Sequence, residues 1–232
     1  WTFVTINWCR HSNNVTITLS SYSDHLYAVN ADYVYLPTAI QGSITKDNVE
    51  IGRLNFTANY STINFPVPIN LNFSMYMAPH QYNLSVSQIN STKFTITSDL
   101  MSGAGCGMTV NATITFNNDD YSNFILEDYL QNVQAEYKTG DLTIRSNFDA
   151  FTYYSLNNHT SANLNSTLNT MVYYRTEKIG DMKFQDVFGQ RKMYIIYKDG
   201  TMEDTSVYYD PFTTNFKNIL RPVFGSDVDS WF

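Results

Sequence analysis

Residues 69–77 read INLNFSMYM and residues 108–116 read MTVNATITF. In both nonamers alternate positions are apolar, and nearly all the positions between are Asn, Ser or Thr. Successive side chains of a strand point to opposite faces, whereas a helix would scatter a two-residue repeat around its axis. The same alternation runs through 14–20, 54–60, 82–90 and 93–97. Strands of a parallel sheet, covered on both sides, are apolar throughout, so this pattern predicts an antiparallel sheet with one solvated face. Pro66-Val67-Pro68 stands before one of these strands, where a missing N–H matters least.

The polar positions have a second property. Asn-x-Ser/Thr triplets occur at Asn14, Asn55, Asn59, Asn72, Asn83, Asn90, Asn111, Asn158 and Asn165. Asn14, Asn55, Asn59, Asn72, Asn83 and Asn111 alternate with apolar neighbours such as Val15, Leu54, Phe56, Leu71, Tyr82 and Val110, so they project from the solvated face. An exposed Asn in such a triplet accepts an N-linked glycan in a secretory compartment. Cys9 and Cys106 make an even pair, read as one disulfide closing a long loop. Such a closure stabilises by roughly 4 to 5 kcal/mol in the chain-entropy picture. The alternative is two free thiols packed as small hydrophobes.

Composition agrees with an extracellular surface. Charged residues are 15% of the 232-residue chain, while 25 Asn and 45 Ser plus Thr make the polar surface largely uncharged. Aromatics at 16% exclude a disordered chain. A net charge of −7 with no Lys/Arg cluster excludes nucleic acid as the partner. No window of 18 apolar residues occurs, so no membrane span is expected in the given chain. The N-terminal WTFVTI has no leader features, and secretion would imply a signal peptide already removed.

After Asn117-Asn118-Asp119-Asp120 the period changes. Ile125, Tyr129, Val133 and Tyr137 recur every four residues, which predicts an amphipathic helix over 121–137 ended by Gly140. Strands are expected to resume over 141–154 and 170–175. Asp199-Gly200 between two β-rich runs predicts a two-residue type I′ hairpin. A short C-terminal helix is expected at 213–221, stopped by Pro222. The predicted fold is mainly β, an antiparallel sandwich or barrel with these two helices. Residues 1–232 read as a single domain, divisible at most into a glycan-bearing β region (1–118) and a helix plus hairpin region (119–232).

Nothing in the chain points to catalysis. His11, His25, His80 and His159 are scattered, and no metal-ligand spacing or nucleophile elbow occurs. Asp24-His25 are strand neighbours that point apart, and the Gly-rich SGAGCGM (102–108) leads into a strand, without the helix N-terminus of a phosphate site. Asp119-Asp120, Glu127-Asp128 and Glu203-Asp204 read as a cap, a solvated helix face and a hairpin arm, not as a glycosidase pair. Asp210-Pro211-Phe212 reads as turn chemistry. No catalytic residue, metal site or cofactor is assigned.

The sequence therefore predicts a secreted or surface-displayed N-glycoprotein, cellular or viral, that acts by binding, adhesion or assembly with a protein partner or with itself. All nine triplets precede residue 170, and the last 62 residues hold eight of the 14 Lys and Arg. A glycan-free surface rich in Tyr and Arg suits a contact, which nominates Tyr173, Tyr174, Arg175, Tyr194, Tyr197, Tyr208 and Tyr209. The alternative is a carrier whose inward Phe73, Met75, Met77, Met108 and Phe116 line an apolar cavity for a lipid-like ligand, with the 121–137 helix as lid.

Overall fold

The computed structural model describes residues 4–10, 13–29, 32–61, 66–103 and 107–206. One 14-stranded antiparallel sheet runs through it, with the strands side by side in chain order. They are β1 (Val4–Arg10), β2 (Asn13–Val29), β3 (Asp32–Lys46), β4 (Val49–Tyr60), β5 (Pro68–Met77), β6 (His80–Asn90), β7 (Lys93–Met101) and β8 (Gly107–Phe116). The second half contributes β9 (Leu130–Thr139), β10 (Leu142–Asp149), β11 (Leu168–Tyr174), β12 (Glu177–Val187), β13 (Gln190–Tyr197) and β14 (Met202–Asp204). The mainly β, antiparallel expectation holds. Neither a sandwich nor a barrel forms among the described residues, because no second sheet is present and β1 does not pair with β14.

Tight turns make this meander possible. Asp47 (φ 51°) and Asn48 (φ 64°) occupy the left-handed region between the paired residues Lys46 and Val49, a two-residue type I′ hairpin. Phe188 and Gly189 do the same between Val187 and Gln190. At Asp199-Gly200 the expected I′ turn is replaced by a longer one in which only Gly200 has positive φ. The Asp199 carboxylate accepts from the Thr201 N–H (2.9 Å) and hydroxyl (2.6 Å), an Asx turn that needs no left-handed Asp.

The predicted 121–137 helix is corrected. Its place is taken by a 3-10 turn (Tyr121–Asn123), a four-residue helix α1 (Leu126–Tyr129) and strand β9. A spacing of four is also a multiple of two, so Val133 and Tyr137 share a face in a strand as well as in a helix. Gln134, Glu136 and Lys138 alternate with them on the opposite face. With β8 on one edge and β10 on the other, the full ladder of hydrogen bonds decides the choice. The predicted helix at 213–221 lies outside the described residues.

The other helices, α2 (Ala150–Tyr154) and α3 (Ser161–Thr167), are begun by side-chain caps. Asp149 accepts from the Thr152 N–H and Thr160 from the Asn163 N–H. Together with α1 they lie at one end of the sheet's apolar face. There Phe94, Phe116, Tyr121 and Phe124 pack edge to face, with Tyr129 tilted against Phe124, and Phe148, Tyr153 and Tyr154 pack edge to face likewise. Phe94, Tyr121, Leu130, Ala150 and Tyr153 are buried, so much of the small core sits under this cap. Tyr121 ties the cap down by donating its hydroxyl proton to the Ser91 carbonyl oxygen (2.7 Å).

Candidate functional site

Strand pairing sorts the side chains into two faces. One row crosses nine strands from β3 to β11 as Ile40, Phe56, Phe73, Leu84, Ser98, Val110, Tyr137, Ile144 and Val172. The adjoining row on the same face is Gly42, Leu54, Met75, Tyr82, Leu100, Met108, Thr139, Leu142 and Tyr174. On the other side of the first row lie Ala58, Leu71, Val86, Ile96, Ala112, Ala135, Ser146 and Thr170. These three rows contain no charged residue. Four of their hydroxyls pair within the face, Ser98 with Tyr82 (3.3 Å) and Ser146 with Thr170 (3.0 Å).

Beyond the helical cap no described residue covers this apolar face. Val172 is 1% exposed, yet Met75 at 37%, Met108 at 38% and Tyr174 at 50% stand open on the same surface. Over β2 to β5 the face sinks into a depression of ≈ 320 Å³, walled by Ile17, Leu19, Ile40, Ile44, Leu54 and Met75. Gly42 supplies its floor, and a Cβ there would come within 3.1 Å of the Thr18 carbonyl oxygen. Glycine at an apolar position of an alternating strand was the only sequence signal for this hollow.

The opposite face is polar. One of its rows reads Gln41, Asn55, Ser74, Asn83, Asp99, Thr109, Lys138, Thr143, Tyr173, and the next reads Thr57, Asn72, Ser85, Thr97, Asn111, Glu136, Arg145, Met171. Asn55, Asn59, Asn72, Asn83 and Asn111 therefore lie together on it. Asn59, Asn72 and Asn111 are exposed, and Asn55 and Asn83 half-buried. Glu136 accepts from Arg145 (2.7 Å) and Lys138 (2.6 Å), and these two hydrogen bonds hold its carboxyl below the ordinary range. Arg145 in turn lies over the Tyr173 ring at 5.0 Å. Glu136 and Arg145, with Thr97, Asn111 and Met171, border a depression of ≈ 440 Å³ over β7 to β11.

The remaining triplets differ. Asn90 and Asn158 are exposed near chain reversals, where the Asn90 side-chain oxygen Oδ1 accepts from the Thr92 N–H. Asn165, in α3, is half-buried. Its amide donates to the Phe184 carbonyl oxygen (2.7 Å) and accepts from the Phe184 N–H (2.8 Å), standing in for a strand residue just beyond the end of the β11 ladder. The side chain of Asn14 and the pairing of Cys9 with Cys106 lie outside what is described.

The nominated Tyr and Arg residues do not form one surface. Tyr173 and Tyr194 belong to the polar face, Tyr174 and Tyr197 to the apolar one, and Arg175 sits in the β11–β12 turn 5.4 Å from the Tyr174 ring. Tyr197 donates to the Glu203 carboxylate. Tyr208 and Tyr209 are outside the described residues. The acidic pairs are likewise separated in role: Asp120 caps Ser122 (3.1 Å), Glu127 and Asp128 begin α1, and Asp204 pairs with Lys192 (3.1 Å). Among the described residues no three His, Cys, Asp or Glu side chains gather where a metal ion could bind, and no helix is long and apolar enough to cross a membrane. The chain matches no protein-family model, no curated protein and no solved structure.

Proposed function

We propose that this protein is a secreted or surface-displayed, N-glycosylated, non-catalytic protein that acts by contact, in binding, adhesion or assembly, through the apolar face of its sheet. One observation carries the reading. The three central rows of the face built by β3 to β11 have no charged side chain and are left bare beyond the cap by the described residues, while the Asn-x-Ser/Thr sites of the same strands project from the other side. A bare apolar surface of this extent is unusual for a lone soluble molecule and belongs to an interaction. Glycans on the polar face would keep that side free and leave the apolar face as the contact.

Carbene footprinting of the protein isolated from its source tests this. Met75, Met77 and Met108 are expected to be shielded in the isolated material and labelled after dissociation in mild denaturant. Labelling of these methionines in the isolated protein, as strong as in the unfolded chain, would overturn it.

The depression over Gly42 favours a second reading, a carrier of an apolar ligand. Its volume of ≈ 320 Å³ lies at the small end of ligand sites, and it is open, not enclosed. Organic extraction decides: lipid released at about one mole per mole of protein supports the carrier, as expected for a single site, and lipid-free extracts remove it.

A further inference from the structure

We infer that the occupant of the apolar face is a second copy of this chain, packed face to face to form a two-layered sandwich with both polar faces outward. The inference rests on the contact reading above and names its partner.

Area is the first argument. Nine strands about 4.8 Å apart span roughly 43 Å, and three rows at two residues per row cover roughly 20 Å along the strands. The uncharged patch thus measures about 860 Å² per copy, or about 1,700 Å² buried in all, which is the size of a standard stable interface. Charge is the second. The chain carries a net charge of −7, so two copies repel unless the surfaces they bring together are neutral. The three rows are neutral from β3 to β11, and their Ser98, Tyr82, Ser146 and Thr170 hydroxyls pair within the face, so covering these four hydroxyls leaves none of them stranded.

Shape is the third. A two-fold axis parallel to the strands keeps each row at its own height and lays β3 of one copy over β11 of the other when it passes over β7, the middle of the nine strands, where overlap is greatest. Tyr174, half-exposed at the β11 end of its row, then meets the hollow over Gly42, beside Leu54, in the same row of the second copy. The contact occurs twice, as a self-complementary interface requires. Aligned sheets at about 10 Å separation interdigitate side chains in this way.

Sedimentation equilibrium of the full chain, with its glycans, tests the inference. A mass of two copies is expected at micromolar concentration. Met75→Glu and Tyr174→Ala are each expected to raise the dissociation constant by about tenfold or more, while Ser74→Glu, one residue away on the polar face, leaves it unchanged. A photo-cross-linker at position 75 keeps the test independent of how the charged variant folds. Mixed heavy- and light-isotope copies should yield mixed cross-links to residues of the apolar rows. A monomer with no mixed cross-links overturns the inference. If Met75 and Met108 are nevertheless shielded in the protein from its source, the contact reading stands with another partner. If they are labelled, both fail.

Discussion

Two residues show how local chemistry holds this thin sheet together. Tyr121 joins the helical cap to the β6–β7 turn through its hydroxyl. Burial, with Asp119 as a lesser cause, pushes its phenol up to about 12. A raised phenol contributes stability that is complete below the ordinary Tyr value near 10 and is lost as pH rises through about 12. The cap should therefore loosen between those limits, and Tyr121→Phe should remove that alkaline step at a cost of about 1 kcal/mol for the lost hydrogen bond. Near-ultraviolet circular dichroism against pH checks both.

Asn165 is the second residue. The sequence reads it as one more glycan acceptor. The folded chain uses both ends of its amide on the Phe184 backbone. Asn165→Ala should cost about 1–3 kcal/mol by stranding those groups, which urea unfolding would measure. Nothing in the triplet could show this, because the partner lies 19 residues away in sequence.

At the scale of elements, alternating strands were legible wherever apolar and polar positions differed plainly, as in β4, β5 and β8. The 121–137 segment was not. Its apolar residues recur at four, a spacing that both a helix and a strand satisfy, and only pairing with β8 and β10 separates the two. The long β2–β3 ribbon was equally hidden. Over Asp24–Val29 and Asp32–Pro37 these strands pair only with each other, beyond the reach of β1 and β4. A two-stranded ribbon without neighbours is marginally stable in water. Its amides should exchange with solvent at least about tenfold faster than those of β5 to β8, since each 1.4 kcal/mol of lost protection is tenfold. Hydrogen-exchange mass spectrometry of peptides 20–38 and 69–90 checks this, and equal protection would mean that the ribbon is held by something else.

For the whole molecule, the sequence foretold the two faces but not the number of layers. Alternation states that each strand has one apolar side, and it is silent on what covers that side. A sandwich or barrel would have covered it within one chain. In this fold β1 to β14 stay in a single layer among the described residues, so none of these strands covers β3 to β11, which is the ground for the proposed contact. The account makes one claim above the others, that the two faces serve opposite ends.

Intact mass of the protein from its source, before and after enzymatic removal of N-glycans and with each site mapped, tests that claim most directly. The account predicts a mass several kilodaltons above the bare 26.6 kDa chain, with sugar on polar-face sites among Asn55, Asn59, Asn72, Asn83 and Asn111, and none at Asn165. A mass equal to the bare chain would contradict it and leave the polar face without the role assigned to it.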